Sequence, residues 1–244
     1  MEIPLYFYIA YNDLDRLSPG SDETTLNALD KIALNSDDEL NILDIACGVG
    51  SSTILLANYF KNSIVEGFDL FKHYVKKLDE KIIENNFSKR VFAYTMDMND
   101  PDFANEEFDV VFCEASIEII GFERGLAEWK RLLKPNGYLV VSDISWLKTP
   151  SNGSRKFWKD IYSEVDTIEN KIKCIQNLGY DFIDYVVVPK NDWNNYYKSL
   201  EKNLNDLNSD KSAKDFVAQI RREIENYRRN SDDYSYVFYI MRKV

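Results

Sequence analysis

The chain is poor in the residues that bind metals or form covalent cross-links. It has three cysteines, far apart in the sequence (Cys47, Cys113 and Cys174), no CxxC pair, and one histidine, His73. Zinc sites and disulfide frameworks need several such residues at short, regular spacing. We therefore expect no metal site and no disulfide framework, and we expect the protein to work in a reducing cytoplasm.

Long apolar runs are missing as well. No stretch approaches the roughly 18–20 consecutive apolar residues that span a bilayer, so we expect no membrane span. The first fifteen residues are apolar and aromatic but have no basic region, and acidic residues follow closely. This pattern does not predict a secretory signal peptide.

Basic residues are also fewer than acidic ones. The 244 residues include 30 Lys and Arg against 41 Asp and Glu, a formal net charge of −11. The densest basic group lies within residues 221–229, where arginines are interleaved with glutamates as on a solvated helix face. Because such a field repels a phosphate backbone, we do not expect nucleic acid as a partner.

The chain does contain a repeated alternation of strand-like and helix-like apolar patterns. Runs typical of buried parallel strands occur at residues 41–46, 64–68, 91–94, 109–113 and 137–143. Helical periodicity follows at 51–60, 71–87 and 121–133. This order predicts an α/β fold, doubly wound around a mostly parallel sheet, with helices on both faces.

Two local features refine the helix ends. Ser51, Ser52 and Thr53 are expected to cap the helix that follows the first strand. A turn at 134–137 is expected to end the third helix, with Gly137 in a positive-φ conformation.

After Trp146 the alternation loosens. Helices are expected at about 154–163 and 167–178, a strand near 185–188, a helical stretch over 192–229, and a last strand over 234–241. No internal repeat or low-complexity linker divides the chain. We predict a single Rossmann-like domain over residues 1–244, with a seven-stranded sheet and a helical insertion before the last strand.

The segment Leu43-Asp44-Ile45-Ala46-Cys47-Gly48-Val49-Gly50 lies where the first strand turns into its helix. Open α/β sheets bind ligands at this edge, and glycine lets a ligand approach the backbone closely. Asp44 can anchor the turn and face the ammonium of an amino acid. Asp69, at the end of the second strand, is placed to accept hydrogen bonds from both hydroxyls of a ribose.

A nicotinamide nucleotide would also need glycines and a downstream acid, but three details argue against it. Thr53 occupies the place of the third glycine, which pyrophosphate binding requires. Asp44 brings negative charge to the place where pyrophosphate would lie. Asp97, just past the third strand, suits the amino group of an adenine. The pattern therefore predicts a site for a ribose, an adenine and a zwitterionic amino acid, without phosphates.

Five motifs in order resemble those of class I S-adenosylmethionine-dependent methyltransferases: LDIACGVG (43–50), VEGFD (65–69), MDMND (96–100), EEFDVVFCEAS (106–116) and LLKPNGYLVVSD (132–143). The resemblance covers about 20–145 and extends toward a bacterial ubiquinone/menaquinone-type small-molecule subgroup through residues 120–129, 145–146, 157–158 and 165–168. The segment 18–21 also resembles a part of that subgroup that folds over the cofactor. The chain departs from the commoner pattern at Ala46-Cys47, where a glycine is usual, and lacks the [DN]PP[YF] signature of amino-group methyltransferases.

The resemblance implies S-adenosylmethionine as the cofactor. It also implies a cofactor-binding core at about 20–145, with acceptor lid elements at 1–20 and about 146–229. The implied cofactor-binding residues are Gly20, Asp44, Ala46, Gly48, Gly50, Asp69, Leu70, Asp97, Met98 and Glu114.

Glu114 is also the candidate catalytic residue, because it follows the fourth strand beside the expected position of the methyl group. An acid there could bind substrate or take a proton; the alternative is a helix-capping or solvent-facing acid. Cys47 and Cys113 are expected to fill core space rather than to act as nucleophiles. His73 could take part in catalysis. The alternative is that it is an exposed polar residue early in a helix.

The function that follows is in-line transfer of a methyl group to a small-molecule acceptor. Two alternatives stay open: a methyltransferase acting on protein or RNA, and a non-catalytic cofactor-binding interaction module. The resemblance also leaves room for a homodimer.

Overall fold

The computed structural model describes residues 4–244, with strands and helices alternating over most of that range. The strands are β1 (Asn41–Ile45), β2 (Ile64–Asp69), β3 (Val91–Thr95), β4 (Phe108–Cys113), β5 (Leu133–Trp146), β6 (Asp166–Thr167), β7 (Tyr180–Val187) and β8 (Tyr234–Lys243). The α-helices are α1 (Leu5–Ala10), α2 (Asp22–Leu29), α3 (Ser51–Tyr59), α4 (Lys72–Glu84), α5 (Phe122–Trp129), α6 (Asn152–Ile161), α7 (Ile168–Asn177), α8 (Lys190–Asp206) and α9 (Lys214–Asn230).

Seven strands form a continuous sheet in the order β3-β2-β1-β4-β5-β8-β7, and the two-residue β6 pairs with the end of β5. Strands β1 to β5 run parallel, whereas β8 pairs antiparallel with both β5 and β7. The strand order reverses between β1 and β4, which is where open α/β sheets bind their ligands. The predicted doubly wound, mostly parallel seven-stranded sheet is confirmed.

Two apolar layers cover the sheet. One face packs against α2, α3, α4, α6, α8 and α9, and the other face packs against α5 and α7. The side chains of alternating residues on β8 enter opposite layers: Phe238 and Ile240 enter the first, and Val237 and Tyr239 the second. Because strands with both faces covered are apolar along their length, their sequence shows continuous hydrophobic runs.

The structure corrects several predicted boundaries. The helical stretch expected over 192–229 is two helices, α8 and α9, separated by a turn and a short 3₁₀ segment. Strands β5 and β7 are longer than predicted, and the helices α1 and α2 were not anticipated. All of these segments gain most of their burial from distant parts of the chain, a contribution that local periodicity does not report.

The turn expected at 134–137 is wrong, because these residues lie inside β5, at an irregularity in its pairing with β4. The expected reason for the glycine is wrong as well. Asn136 has the positive φ, 65°, and Gly137 does not. A Cβ on Gly137 would lie 3.0–3.2 Å from the carbonyl oxygens of Lys134, Asp109 and Phe108. Glycine is therefore needed at this position because the backbone of Phe108 and Asp109 in β4 and of Lys134 in β5 leaves no room for a side chain.

The expected cap of α3 is also wrong. Gly50 occupies the N-cap position with φ 84°, and no side chain caps the helix. The hydroxyls of Ser52 and Thr53 instead donate to the carboxyl of Asp44. These residues therefore join the helix to the end of β1 rather than to its own backbone.

Within residues 4–244, every helix is too short or too polar to cross a lipid bilayer.

Candidate functional site

The turn after β1 is built from left-handed backbone conformations. Ala46, Gly48 and Gly50 have φ values of 55°, 53° and 84°. The amide of Cys47 donates to the carbonyl of Phe68 at 2.9 Å, which holds the turn against the end of β2. Alanine tolerates the left-handed region less well than glycine. The departure at Ala46 therefore places a non-glycine residue in this region.

Asp69 connects this turn to the end of β2. One carboxylate oxygen accepts from the amide of Gly48 at 3.0 Å, and the other accepts from the amide of Phe71 at 2.9 Å. Burial raises the pKa of Asp69, and the two amide donors oppose that rise. Since each carboxylate oxygen has a further lone pair, Asp69 can accept two more hydrogen bonds from a ligand diol.

Asp44 is fully buried at the end of β1. Its Oδ2 accepts hydrogen bonds from Ser52 Oγ at 2.7 Å and Thr53 Oγ1 at 2.6 Å, while its Oδ1 has no partner. Burial raises the pKa of Asp44 to about 7, although the two hydroxyls favour the charged form. A buried acceptor without a partner is costly, so this oxygen is a feature that a bound donor would relieve.

A cavity of about 310 Å³ opens at the carboxyl ends of β1, β2 and β4. Seven of the residues implied as cofactor-binding line it: Ala46, Gly48, Asp69, Leu70, Asp97, Met98 and Glu114. The other three, Gly20, Asp44 and Gly50, stand behind the lining. The sequence motifs therefore converge on one cavity, with a supporting layer beneath it.

The two glycines outside the lining are explained by packing. A Cβ on Gly50 would lie 2.4 Å from Cδ1 of Leu78, so glycine there lets α4 pack against the turn. A Cβ on Gly20 would lie 2.6 Å from Oε1 of Glu114. Glycine at these two positions therefore lets Leu78 and Glu114 pack closely behind the cavity lining.

Asp97 and Met98 form the far wall, after β3. Asp97 Oδ1 accepts from the amide and the side-chain nitrogen of Asn99, at 2.9 and 2.8 Å, and these bonds lower the pKa of Asp97. The carbonyl of Met98 accepts from the indole of Trp129 at 3.2 Å. This loop is thus fixed from both ends, with an ionised acid at its exposed tip.

Residues 15–21 form a segment across the cavity that we name the N-terminal strap. Asp15 to Ser18 line the cavity, and the Arg16 guanidinium donates to Glu114 at 2.6 Å and to Asp22 at 2.8 Å. Glu114 also accepts from the hydroxyl of Thr25 at 3.1 Å. The Arg16 and Glu114 side chains are only 12% and 7% exposed, so the pair is largely shielded from water. One oxygen of the candidate catalytic carboxylate therefore holds the strap through Arg16, and the other is bound to α2 through Thr25.

The strap is also tied to α8, far away in the sequence. Tyr196 donates to the carbonyl of Leu17 at 3.1 Å. Ser21 and Thr24 donate to the buried carboxylate of Asp192 at 2.8 and 2.6 Å. The beginning of the chain is thus connected to the insertion before the last strand.

Sequence reasoning missed several cavity residues. Arg16 was not singled out, although a lone cation between Asp15 and Asp22 is a local signal. Tyr74, on α4, lines the cavity with a buried hydroxyl that has no partner, and no sequence pattern distinguishes it from a core tyrosine.

The remaining candidates have structural roles. His73 is exposed, lies outside the cavity lining and packs against Tyr8 with ring centroids 4.4 Å apart. Cys47 lines the cavity, but burial raises the pKa of its thiol, as it does for Cys113. Neutral thiols are poor nucleophiles, so neither cysteine is set up to attack a substrate.

These residues fit a ligand with a ribose, an adenine and an amino-acid ammonium. Asp69 offers two free acceptor positions, the unpartnered Oδ1 of Asp44 favours a nearby donor, and Gly48 leaves the backbone accessible. A pyrophosphate fits poorly, because the start of α3 is bound to the carboxyl of Asp44. This set of acceptors therefore matches S-adenosylmethionine better than a dinucleotide.

Comparisons with known proteins agree with this geometry. A family model described as a methyltransferase domain matches residues 42–137. An uncharacterised protein of Haemophilus influenzae is 30% identical over 188 residues, covering 67% of this chain and 74% of its own length. The demethylmenaquinone methyltransferase of Bacteroides fragilis is 26% identical over 149 residues, covering 60% of this chain and 59% of that protein.

The fold also matches a solved structure along its whole length. A SAM-dependent methyltransferase from Thiobacillus denitrificans, crystallised with S-adenosyl-L-homocysteine, superposes with a TM-score of 0.82 at 19% identity, covering 99% of both chains. Together with the motif order and the cavity geometry, these findings show that the chain belongs to the class I S-adenosylmethionine-dependent methyltransferases.

Proposed function

We propose that this enzyme transfers the methyl group of S-adenosylmethionine to a small-molecule acceptor by in-line displacement. The observation that carries the proposal is the strap, which lies across the cavity and is fixed on both sides by Glu114 and Tyr196. A cavity of about 310 Å³ is of the size that encloses small ligands. Arg16 is the only cation in its lining over residues 4–244, and two carboxylates already neutralise it. Such a lining does not suit an anionic polymer.

The cofactor supplies an electrophilic methyl group on a positively charged sulfur. The chain's own residues have three tasks. Asp69 and the turn at Gly48 fix the position of the ribose, the loop at Asp97 and Met98 holds the adenine side, and the strap excludes water above the reacting atoms. An in-line displacement needs alignment of the acceptor more than it needs a covalent or metal-assisted step.

Titration calorimetry should show saturable binding of S-adenosylmethionine and of S-adenosylhomocysteine, and no binding of NAD. The physical reason is that Asp44 and Asp69 present carboxylates beside Gly48. These accept hydrogen bonds from hydroxyls and an ammonium and repel the phosphates of NAD. Transfer of labelled methyl in a metabolite screen then tests the acceptor class. Binding of NAD without binding of S-adenosylmethionine would overturn the assignment, and transfer confined to proteins or RNA would overturn the small-molecule proposal.

Two matched variants decide the role of Glu114. If it holds the strap, Glu114→Gln and Arg16→Met should both lower the free energy of unfolding by roughly 2 kcal/mol, since a shielded charged contact is broken. Both should also weaken S-adenosylhomocysteine binding and raise KM more than they lower kcat. A catalytic base predicts the opposite: Glu114→Gln abolishes transfer with normal stability and cofactor affinity, while Arg16→Met remains active.

A further inference from the structure

Five residues beside the cofactor cavity form what we name the acidic aromatic wall: Tyr11, Glu118, Tyr196, Glu223 and Tyr236. They come from the end of α1, the turn after β4, α8, α9 and β8, so the fold assembles them from across the chain. Each side chain is largely buried but keeps some accessible surface.

Glu118 carries the first half of the evidence. Its Oε1 accepts from the hydroxyl of Tyr236 at 2.7 Å, and its Oε2 is buried without any partner. The nearest cation, Lys171, is committed to Asp143, with which it forms a buried ion pair. A buried carboxylate oxygen without a donor is among the most costly polar groups in a protein interior.

Glu223 carries the second half. Its Oε1 accepts from the hydroxyl of Tyr197 at 3.0 Å, and its carboxyl is close enough to raise the pKa of Tyr196 and Tyr236, both of which burial already raises. Within residues 4–244, neither Glu118 nor Glu223 forms an ion pair with a lysine, arginine or histidine. Two acids thus share the wall without a protein cation between them.

The wall adjoins the cofactor cavity at both ends. Glu118 lies between Ser116 and Ile119, which line the cavity. At the other end, Tyr196 bonds to the strap at Leu17, and Tyr11 is close to the hydroxyl of Tyr74, a second buried polar atom without a partner. A molecule against the wall would therefore lie next to the cofactor cavity.

From this arrangement we infer that Glu118 and Glu223, with the rings of Tyr11, Tyr196 and Tyr236, recognise a cationic nitrogen on the acceptor. The acceptors of this enzyme are then small organic amines or ammonium compounds. Aromatic faces and desolvated carboxylates both attract such a cation, and the cation in turn compensates the unpaired acids. The inference rests on the proposed small-molecule methyl transfer and narrows its substrate class.

The test compares three probes of nearly equal shape and different charge: choline, its neutral analogue 3,3-dimethylbutan-1-ol, and 3,3-dimethylbutanoate. Each is titrated by ligand-observed NMR, with and without S-adenosylhomocysteine. Choline should bind at least roughly ten-fold more tightly than either analogue, a difference of about 1.4 kcal/mol, because only its quaternary ammonium is attracted by the carboxylates and the aromatic faces. Equal or weaker binding of choline overturns the inference. The proposed function fails separately, if S-adenosylhomocysteine itself does not bind.

Conservative variants test whether Glu118 and Glu223 cause the preference for choline. Glu118→Gln and Glu223→Gln should each weaken choline binding by roughly ten-fold while the neutral probe changes little. Their melting temperatures and S-adenosylhomocysteine affinities show whether they fold normally. Glu225→Gln is the matched control, because Glu225 is on the same helix but exposed and paired with Arg229. Normal choline binding in the double variant Glu118→Gln/Glu223→Gln would contradict the assignment.

The pH dependence of choline affinity is a further test, because a purely structural role of Glu118 and Glu223 would not affect it. Burial raises the pKa of both Glu118 and Glu223, so their ionised forms become populated only as the pH rises. Choline keeps its charge at every pH, so its affinity should increase between about pH 5 and 8 and increase much less in the double variant. The other titratable groups facing the two acids are Tyr11, Cys113, Asp143, Tyr162, Lys171, Tyr196, Tyr197, Tyr234 and Tyr236. Of these, Lys171, whose pKa burial lowers to about 7, accounts for the residual slope.

Discussion

Replacing Asp69 with alanine is expected to weaken binding of S-adenosylmethionine by roughly 1–3 kcal/mol, a loss of about five- to 150-fold. The side chain accepts from the amides of Gly48 and Phe71 and has two further acceptor positions toward the cavity. Alanine removes the ligand contacts and also leaves both amides unpaired. The turn that holds the cofactor should loosen together with the direct contact.

Calorimetry with S-adenosylhomocysteine measures this effect without interference from turnover. Asp69→Asn keeps one acceptor oxygen, so it should lose less affinity than Asp69→Ala. Asp79→Ala, an exposed position on α4, is the control and should bind like the parent. Parent-like affinity in a folded Asp69→Ala protein would mean that the cofactor site lies elsewhere.

Replacing Trp193 with alanine is expected to lower the free energy of unfolding by about 3–5 kcal/mol. The indole is 2% exposed and stacks between Tyr227 and Tyr236, with ring centroids at 4.6 and 5.4 Å. Its nitrogen donates to the hydroxyl of Ser235 at 2.8 Å, so the substitution leaves both a cavity and a buried acceptor with one donor fewer.

Denaturant unfolding measures this loss, and Asn194→Ala, the exposed neighbour on α8, should change stability by less than about 0.5 kcal/mol. A loss below about 1 kcal/mol for Trp193→Ala would indicate that α8 and α9 form a separable lid. The structure favours the contrary view, because these helices contribute buried side chains to the main apolar layer. A deletion of 192–229 would therefore remove part of the core as well as any cover over the acceptor.

The cofactor half of the fold could be predicted because its information is local. The turn at residues 46–50, the acid Asp69 and the loop at Asp97 each follow a strand directly, and parallel strands bring their ends together at one edge. Short apolar runs with polar ends identify such strands without knowledge of their partners. The fold class and the lining of that part of the cavity followed from these patterns.

The strap and the acidic aromatic wall could not be predicted, because their contacts join distant parts of the chain. Glu114 was expected as a catalytic acid, yet its partners Arg16 and Thr25 are visible only in three dimensions. The same holds for Glu118 and Glu223, which periodicity places on a turn and a helix face. A helical pattern reports which face is apolar, but it does not report that an acid on its border turns inward.

The hydrogen bonds between the strap and α8 also bear on the order in which contacts form during folding. Tyr196 and Leu17 are 179 residues apart, and Asn203 and Ala10, joined by a further hydrogen bond, are 193 apart. Contacts of such separation close large loops and form late, whereas the β1–β2–β3 units pair with near neighbours. On a growing chain, the strap and strands β1 to β5 are made before residues 190–206, so the contacts that tie the strap to α8 can form only in the last stage of folding.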